Sequence, residues 1–203
     1  MKRTQEEAAQ TRQQLLDAAL AVFSRKGYHA TRLEDIAEAA NVTRGAIYHH
    51  FGNKTDLYLT LIQEVSTAFG QIINQAIEQG GDFETIGSRV MVNTWVFLDE
   101  NLRARQITEL FYYKTGDNPE LAQIRAHRNA EGTALIEAIA GFMQVAIAEG
   151  ELPATLDPYN GARSFISYQN GVALQWLANP SAYSLKDNAE ALAKIYMRGL
   201  MGQ

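Results

Sequence analysis

The sequence contains no cysteine and only four prolines. Without thiols there is no disulfide to staple the fold and no thiolate for catalysis, although this leaves the compartment open. No window approaches the ~18 consecutive apolar residues that a membrane span requires. The leading residues, MKRTQEEAAQTRQQ, are polar and acid-containing, without the apolar core of a secretory signal. A cytoplasmic protein with no membrane partner is expected. Also missing are a period-2 strand pattern and an Asn-Gly hairpin. No nucleotide-binding glycine loop, metal-ligand spacing or Ser/His/acid arrangement stands out. Neither an enzyme, a cofactor nor a metal site is therefore expected.

What is present is an ordinary globular composition: 203 residues, 46% hydrophobic and 20% charged, enough for one or two domains and a sizeable core. The net charge is −5, but it is unevenly placed. Residues 1–55 hold eight Lys or Arg against six Asp or Glu, whereas residues 56–203 hold ten against seventeen. That asymmetry fits a small basic reading head on a larger acidic body.

Helical spacing governs nearly every apolar cluster. A first helix is expected over about Gln5–Lys26, with Leu15, Leu16, Ala19, Val22 and Phe23 on one face and Gly27 as its left-handed end. Thr31 to Glu34 has the spacing of a capping box, opening a short helix through about Ala40 that Asn41 ends. Glu34 then sits near the positive N-terminus of that helix. Thr43 caps a third helix ending near His50, and Asn53 opens a long fourth. Longer helices follow at about 54–79, 83–100, 103–114, 119–149, 158–178 and 185–201. Asp117/Asn118 before Pro119, and Asp157 before Pro158, each place a capping side chain ahead of an N1 proline. The expected fold is all-α with about nine helices: a three-helix head over residues 1–54 and a larger helical body over 55–203.

Within the head, two short helices meet through Ile36, Ala37, Ala40, Val42 and Ile47, the pattern of a helix-turn-helix. That pattern alone equally suits a structural helical hairpin, and the polar residues shift the balance. No Asp or Glu occurs between Ala39 and Thr55, so the N-terminus of the third helix stays open to an anion. Arg44 projects from its first turn, where a guanidinium can fork onto a guanine edge or a phosphate. Gly45 costs about 1 kcal/mol relative to alanine in a helix interior, a cost that close approach of another backbone would explain. Thr43, Tyr48, His49, His50 and Lys54 complete a patch able to grip phosphate. A metal reading of His49-His50 fails on geometry, because adjacent helical residues point about 100° apart and chelating pairs sit a turn apart. Phe51 reads as core.

The stretch TRLEDIAEAANVTRGAIYHHFGNKTDLY, preceded by TRQQLLDAALAVFSRKGYHAT, resembles the DNA-binding signature of the TetR family of ligand-responsive repressors. The resemblance covers about residues 11–60 without a gap from Thr31 to Lys54, and departs at Asn41, where the family usually has glycine. It implies a homodimer whose recognition helices enter successive major grooves of a palindromic double-stranded operator. The DNA contacts it implies are Thr31, Thr43, Arg44, Gly45, Ala46, Tyr48, His49, His50 and Lys54.

The body is expected to supply dimerisation and regulation. Phe165, Tyr168, Val172 and Trp176 form one stripe of a helix that is apolar around much of its circumference and so needs cover on more than one side. Leu192, Ile195, Tyr196 and Leu200 on the last helix are placed beside it, giving a four-helix dimer interface. ITELFYYK, GELPATLDP and SYQNGVALQWLANPSAYSLKDNA resemble the AcrR-like multidrug-efflux-repressor branch, implying an apolar cavity for an aromatic or hydrophobic effector that releases DNA. Its expected lining is Val92, Trp95, Val96, Thr108, Phe111, Tyr112, Gln169 and Asn170, a few polar groups among aromatics. An enzyme or carrier using that cavity, or an activator of the same fold, is the alternative.

Overall fold

The computed structural model describes residues 5–115 and 121–202, apart from the side chains at 123–125, 127 and 128. Among the described residues every regular element is a helix: α1 (Gln5–Ala30), α2 (Leu33–Ala39), α3 (Arg44–Phe51), α4 (Lys54–Glu78), α5 (Phe83–Glu100), α6 (Leu102–Tyr113), α7 (Ala122–Ala148), α8 (Pro158–Ala178) and α9 (Leu185–Leu200). The expected capping at Asp117/Asn118 and Pro119 lies outside the described residues. Asp157 does cap α8 ahead of Pro158, accepting the Asn160 N–H at 2.7 Å.

These helices fall into two compact units. The first takes in residues up to Thr67 with Arg103–Ala122, and the second Ala68–Leu102 with the residues from Gln123 on. The first unit therefore includes most of α6 as well as α1 to α3.

In the first unit Leu15, Leu16, Ala19, Val22 and Phe23 of α1 are buried, as their spacing requires. Ile36 and Ile47 close the core from α2 and α3, and Leu57, Tyr58 and Leu61 from α4. Phe23, Tyr28 and Tyr58 form a ring cluster, with centroids 5.7, 6.0 and 5.1 Å apart. The C-terminal end of α6 is tied to it. The Tyr28 N–H donates to the Lys114 carbonyl at 3.1 Å, and the Tyr58 and Thr115 hydroxyls are 2.8 Å apart. At its other end, Arg103 reaches both oxygens of Glu64 (2.5 and 3.0 Å) and Asp17 Oδ1 (2.5 Å), which raises its pKa, chiefly through Glu64.

The regular part of α1 stops at Gly27, whose φ of 75° and ψ of 166° suit glycine alone. A Cβ there would also lie 3.1 Å from the Lys114 carbonyl. Asn41 adopts φ 51°, the left-handed turn expected between α2 and α3. One capping expectation is corrected. Thr31 does not open α2, because its hydroxyl donates back to the Gly27 carbonyl at 2.7 Å. The cap is one residue later, where the Arg32 N–H donates to Asp35 Oδ2 at 2.9 Å. The sequence spacing permits either register; the distorted turn at Gly27 claims the threonine first.

In the second unit Trp95 and Trp176 are buried, each with a satisfied indole N–H. Trp95 donates to the Gln169 carbonyl at 3.2 Å and Trp176 to the Tyr183 carbonyl at 3.0 Å. α9 lies chiefly along α5, and it also touches α8, where it was expected to pack. Asp99 of α5 accepts the Lys186 N–H at 2.7 Å, placing an anion at the N-terminus of α9. Over Asn129–Ala148, α7 is long and apolar enough to cross a membrane by length and composition (mean hydropathy 1.3), yet only 17% of that window is buried. Glu131 and Glu137 interrupt it, so it is not the unbroken apolar run sought in the sequence.

Candidate nucleic-acid interface

The local geometry of α3 follows from its short sequence. Asn41 turns the chain and Thr43 stands at the N-cap, with the Ala46 N–H donating to the Thr43 carbonyl at 3.0 Å. The Thr43 side chain makes no cap hydrogen bond, so the expected cap is right in position but not in chemistry. Ile47 and Phe51 are buried and fix which face turns inward. Arg44, Gly45, Tyr48 and His49 are consequently exposed on the other side, with Ala46 and His50 half-buried. The imidazoles of His49 and His50 meet edge to face, 5.1 Å between centroids.

Gly45 has open space around it. Among the described residues a Cβ at this position would meet only Thr43 Oγ1, at 3.7 Å. Nothing within the described chain requires glycine here.

Arg44 is held at two points. Its Nη1 lies 2.5 Å from Glu34 Oε1, its Nη2 donates to the Tyr48 hydroxyl at 2.7 Å, and the guanidinium stands 5.3 Å from the Tyr48 ring centroid. The bond to Tyr48, and then the charge of Glu34, raise its pKa. In the sequence Glu34 reads as a dipole partner of its own helix. It also reaches across to α3, a pairing that nothing in the linear order reveals.

Lys54 and Thr31 are turned inward. Lys54 Nζ donates to the carbonyls of Tyr28 (3.3 Å) and Thr31 (3.2 Å) and stands 4.4 Å from the Tyr28 ring centroid. It joins the start of α4 to the connection between α1 and α2. Asn53 caps α4 reciprocally, its Oδ1 accepting the Asp56 N–H at 2.9 Å and its side-chain amide donating to Asp56 Oδ2 at 2.8 Å.

Between α2 and the start of α4 is an open recess of about 460 Å³, lined by His29, Thr31, Arg32, Leu33, Glu34, Arg44, Asn53, Lys54 and Thr55. Arg32, Arg44 and Lys54 give it three cations against one carboxylate. Arg32 and His29 were not anticipated; a basic residue just ahead of the first turn of α2 was the available signal. Asp35 is held below the usual carboxylate range, first by the Arg32 N–H and then by Lys26, whose Nζ is 2.9 Å away. The arrangement is an exposed, donor-rich helix beside a cationic recess, suited to phosphates and base edges.

The remaining expected positions are spread over both units. Val92, Trp95, Val96, Gln169 and Asn170 belong to the second, and Thr108, Phe111 and Tyr112 to the first. Thr108 is buried with its hydroxyl on the Ala104 carbonyl at 2.8 Å, whereas Tyr112 is exposed. On α8 and α9, Phe165 and Trp176 are buried within the chain; Tyr168, Val172, Leu192, Tyr196 and Leu200 are intermediate, and Ile195 is 66% exposed. The Tyr168 and Tyr196 rings stack at 4.9 Å, Tyr168 donates to the Leu192 carbonyl at 2.8 Å, and the Tyr196 hydroxyl lies 2.7 Å from Ser164 Oγ. Trp95 meets Tyr168 edge to face at 6.1 Å, so an expected cavity residue touches an expected interface residue.

Comparison with known proteins agrees with this geometry. Residues 15–61 match the family model described as bacterial regulatory proteins, tetR family, and residues 87–202 match that of the MAATS-type transcriptional repressor, C-terminal region. The chain is 31% identical over 192 residues to the HTH-type transcriptional regulator TtgR of Pseudomonas putida, covering 94% of this chain and 91% of that protein. It is 28% identical over 197 residues to the HTH-type transcriptional regulator AcrR of Shigella flexneri, covering 97% and 92%. Its fold is similar to the crystal structure of NalD, the secondary repressor of the MexAB-OprM multidrug efflux pump in Pseudomonas aeruginosa, with a TM-score of 0.86 and 26% identity over 97% of this chain and 98% of that one. A helix-turn-helix with its polar face outward, joined to a repressor-type helical C-terminal region, makes this chain a member of the TetR family of DNA-binding transcriptional regulators.

Proposed function

We propose that the protein is a homodimeric, sequence-specific repressor, bound to a palindromic operator and released by a small hydrophobic or aromatic effector. The observation that carries the DNA half is Gly45. It weakens an eight-residue helix, has open space on its outer side, and is flanked by Arg44, Tyr48 and His49. Close approach of a DNA backbone accounts for a glycine that the described residues do not require. In this reading residues 1–54 bind DNA. Thr43, Arg44, Gly45, Ala46, Tyr48, His49 and His50 make the contacts, while Thr31 and Lys54 shape the recess beside them.

Residues 55–203 then carry the effector cavity and the dimer face. The description of NalD as a repressor of a multidrug efflux pump supports an efflux transporter as the controlled target. Of the expected lining, we assign the effector to Val92, Trp95, Val96, Gln169 and Asn170, which share the second unit. The dimer face is assigned to the α8 and α9 stripe, led by the exposed Ile195 and backed by Phe165 and Trp176. DNA selects the dimer whose recognition helices match adjacent major grooves, about 34–36 Å apart. An effector that prefers another arrangement lowers operator affinity by its differential binding.

The direct test is selection of duplexes from a randomised pool by the purified chain, followed by anisotropy titration with hydrophobic aromatic compounds. Enrichment of a palindrome, and its release by at least one such compound, is expected. Enrichment of no sequence would overturn the proposal.

A further inference from the structure

We propose that Glu34 is a positioning residue for DNA recognition, holding the Arg44 guanidinium in the orientation that reads a base edge. This rests on the reading of α3 as the DNA-contacting helix. Glu34 stands in the first turn of α2 and Arg44 in the first turn of α3, brought together by the left-handed turn at Asn41. Glu34 Oε1 takes Nη1 at 2.5 Å, the Tyr48 hydroxyl takes Nη2 at 2.7 Å, and the Tyr48 ring backs the guanidinium. An arginine carries five N–H donors, so two bonds fix its plane and leave others for a ligand.

The local hydrogen bond at the start of α2 is made by Asp35 and not by Glu34. Asp35 takes the Arg32 N–H and pairs with Lys26, contacts in which Glu34 has no part. Nor does the pair serve as a stability anchor. The two side chains are 55% and 56% exposed, and such an ion pair holds by about fivefold or less. Its effect falls instead on the order of Arg44, whose flexible stem would otherwise have to be immobilised on binding. Its charge falls on the phosphates. A carboxylate beside the guanidinium disfavours a phosphate settling there, whereas a guanine edge accepts the fork and discriminates by roughly five- to 150-fold. Glu34 thus raises the ratio of operator to random-sequence affinity.

The test uses the full chain, the duplex that the wild type enriches from a random pool, and a random duplex of equal length. Glu34→Ala is expected to weaken binding to the enriched duplex and tighten binding to the random one, so that the affinity ratio falls by about two- to fivefold. Glu34→Gln, which keeps an acceptor but not the charge, should fall between wild type and Glu34→Ala. In an Arg44→Ala background the Glu34 substitution should leave the ratio unchanged. An equal tightening on both duplexes would show that Glu34 only repels DNA or competes for Arg44, and would overturn the proposal. A fall in ratio that persists without Arg44 would overturn it too. The reading beneath it fails differently: Arg44→Ala would then leave binding to the enriched duplex unaltered, or the wild type would enrich nothing.

Discussion

The two short helices α2 and α3 and the long pair α8 and α9 both present residues singled out by type and spacing, yet the structure treats them differently. On α3 the polar residues stand outside and the apolar ones inside, so position and role coincide. On α8 and α9, Phe165 and Trp176 are buried in the chain itself while Ile195 is open, and all three belong to the same apolar pattern. The difference is chemical. A charged side chain is costly to bury and so marks a surface. An aromatic serves a core, a cavity or an interface equally well, and only packing distinguishes them.

The sharpest break of that comparison is Trp176→Ala. If Trp176 is core rather than a free interface residue, its loss should cost about 3–5 kcal/mol. Denaturant unfolding at fixed protein concentration would show it, and a change confined to dimer dissociation would place the side chain at the interface instead. Arg44→Ala is the counterpart on α3. Operator affinity should fall by about 1–3 kcal/mol, measured by anisotropy, with unfolding unaltered because the side chain is exposed. Unaltered operator affinity would remove Arg44 from the interface.

Gly27→Ala tests the backbone that sets the start of α2. The strained conformation and the close Lys114 carbonyl should together cost about 1–3 kcal/mol in thermal unfolding. A neutral result would mean that the turn relaxes freely.

Asp35 gives the smallest effect, as a pH dependence. Its folded pKa lies below the ordinary carboxylate value of 3.8, so its contribution is present above that value and lost as pH falls through the lowered one. Asp35→Asn should therefore flatten the acid limb of the stability profile slightly and leave the neutral region less stable. An unchanged acid limb would rule out the linkage.

Much of this protein was legible before its structure. The limits of α3, α4, α5, α6, α8 and α9, and the end of α7, follow from Asn41, Asn53, Asp157 and the apolar stripes, because caps and periodicity are local properties. The outward polar face of α3 was legible for the same reason. Not legible were the shift of the α2 cap to Arg32, the inward turn of Lys54 and the pairing of Glu34 with Arg44. Each depends on which of several nearby partners a side chain finds. Nor did spacing reveal that α9 lies mainly along α5, since the stripe of Leu185, Ala189, Ala193 and Met197 shows that one face is covered but not by which helix.

By itself, then, the sequence determined the all-α class, the helix-turn-helix and the character of α3, since backbone capping and the cost of burying charge act over a few residues. Only the tertiary structure decided that α6 contributes to the same compact unit as the reading helices and that Arg44 is held by a carboxylate from another helix. It likewise separated the aromatics of α8 that are core from those left toward the surface. These are matters of long-range packing, where chemically equivalent residues differ only in the neighbours that the fold brings to them.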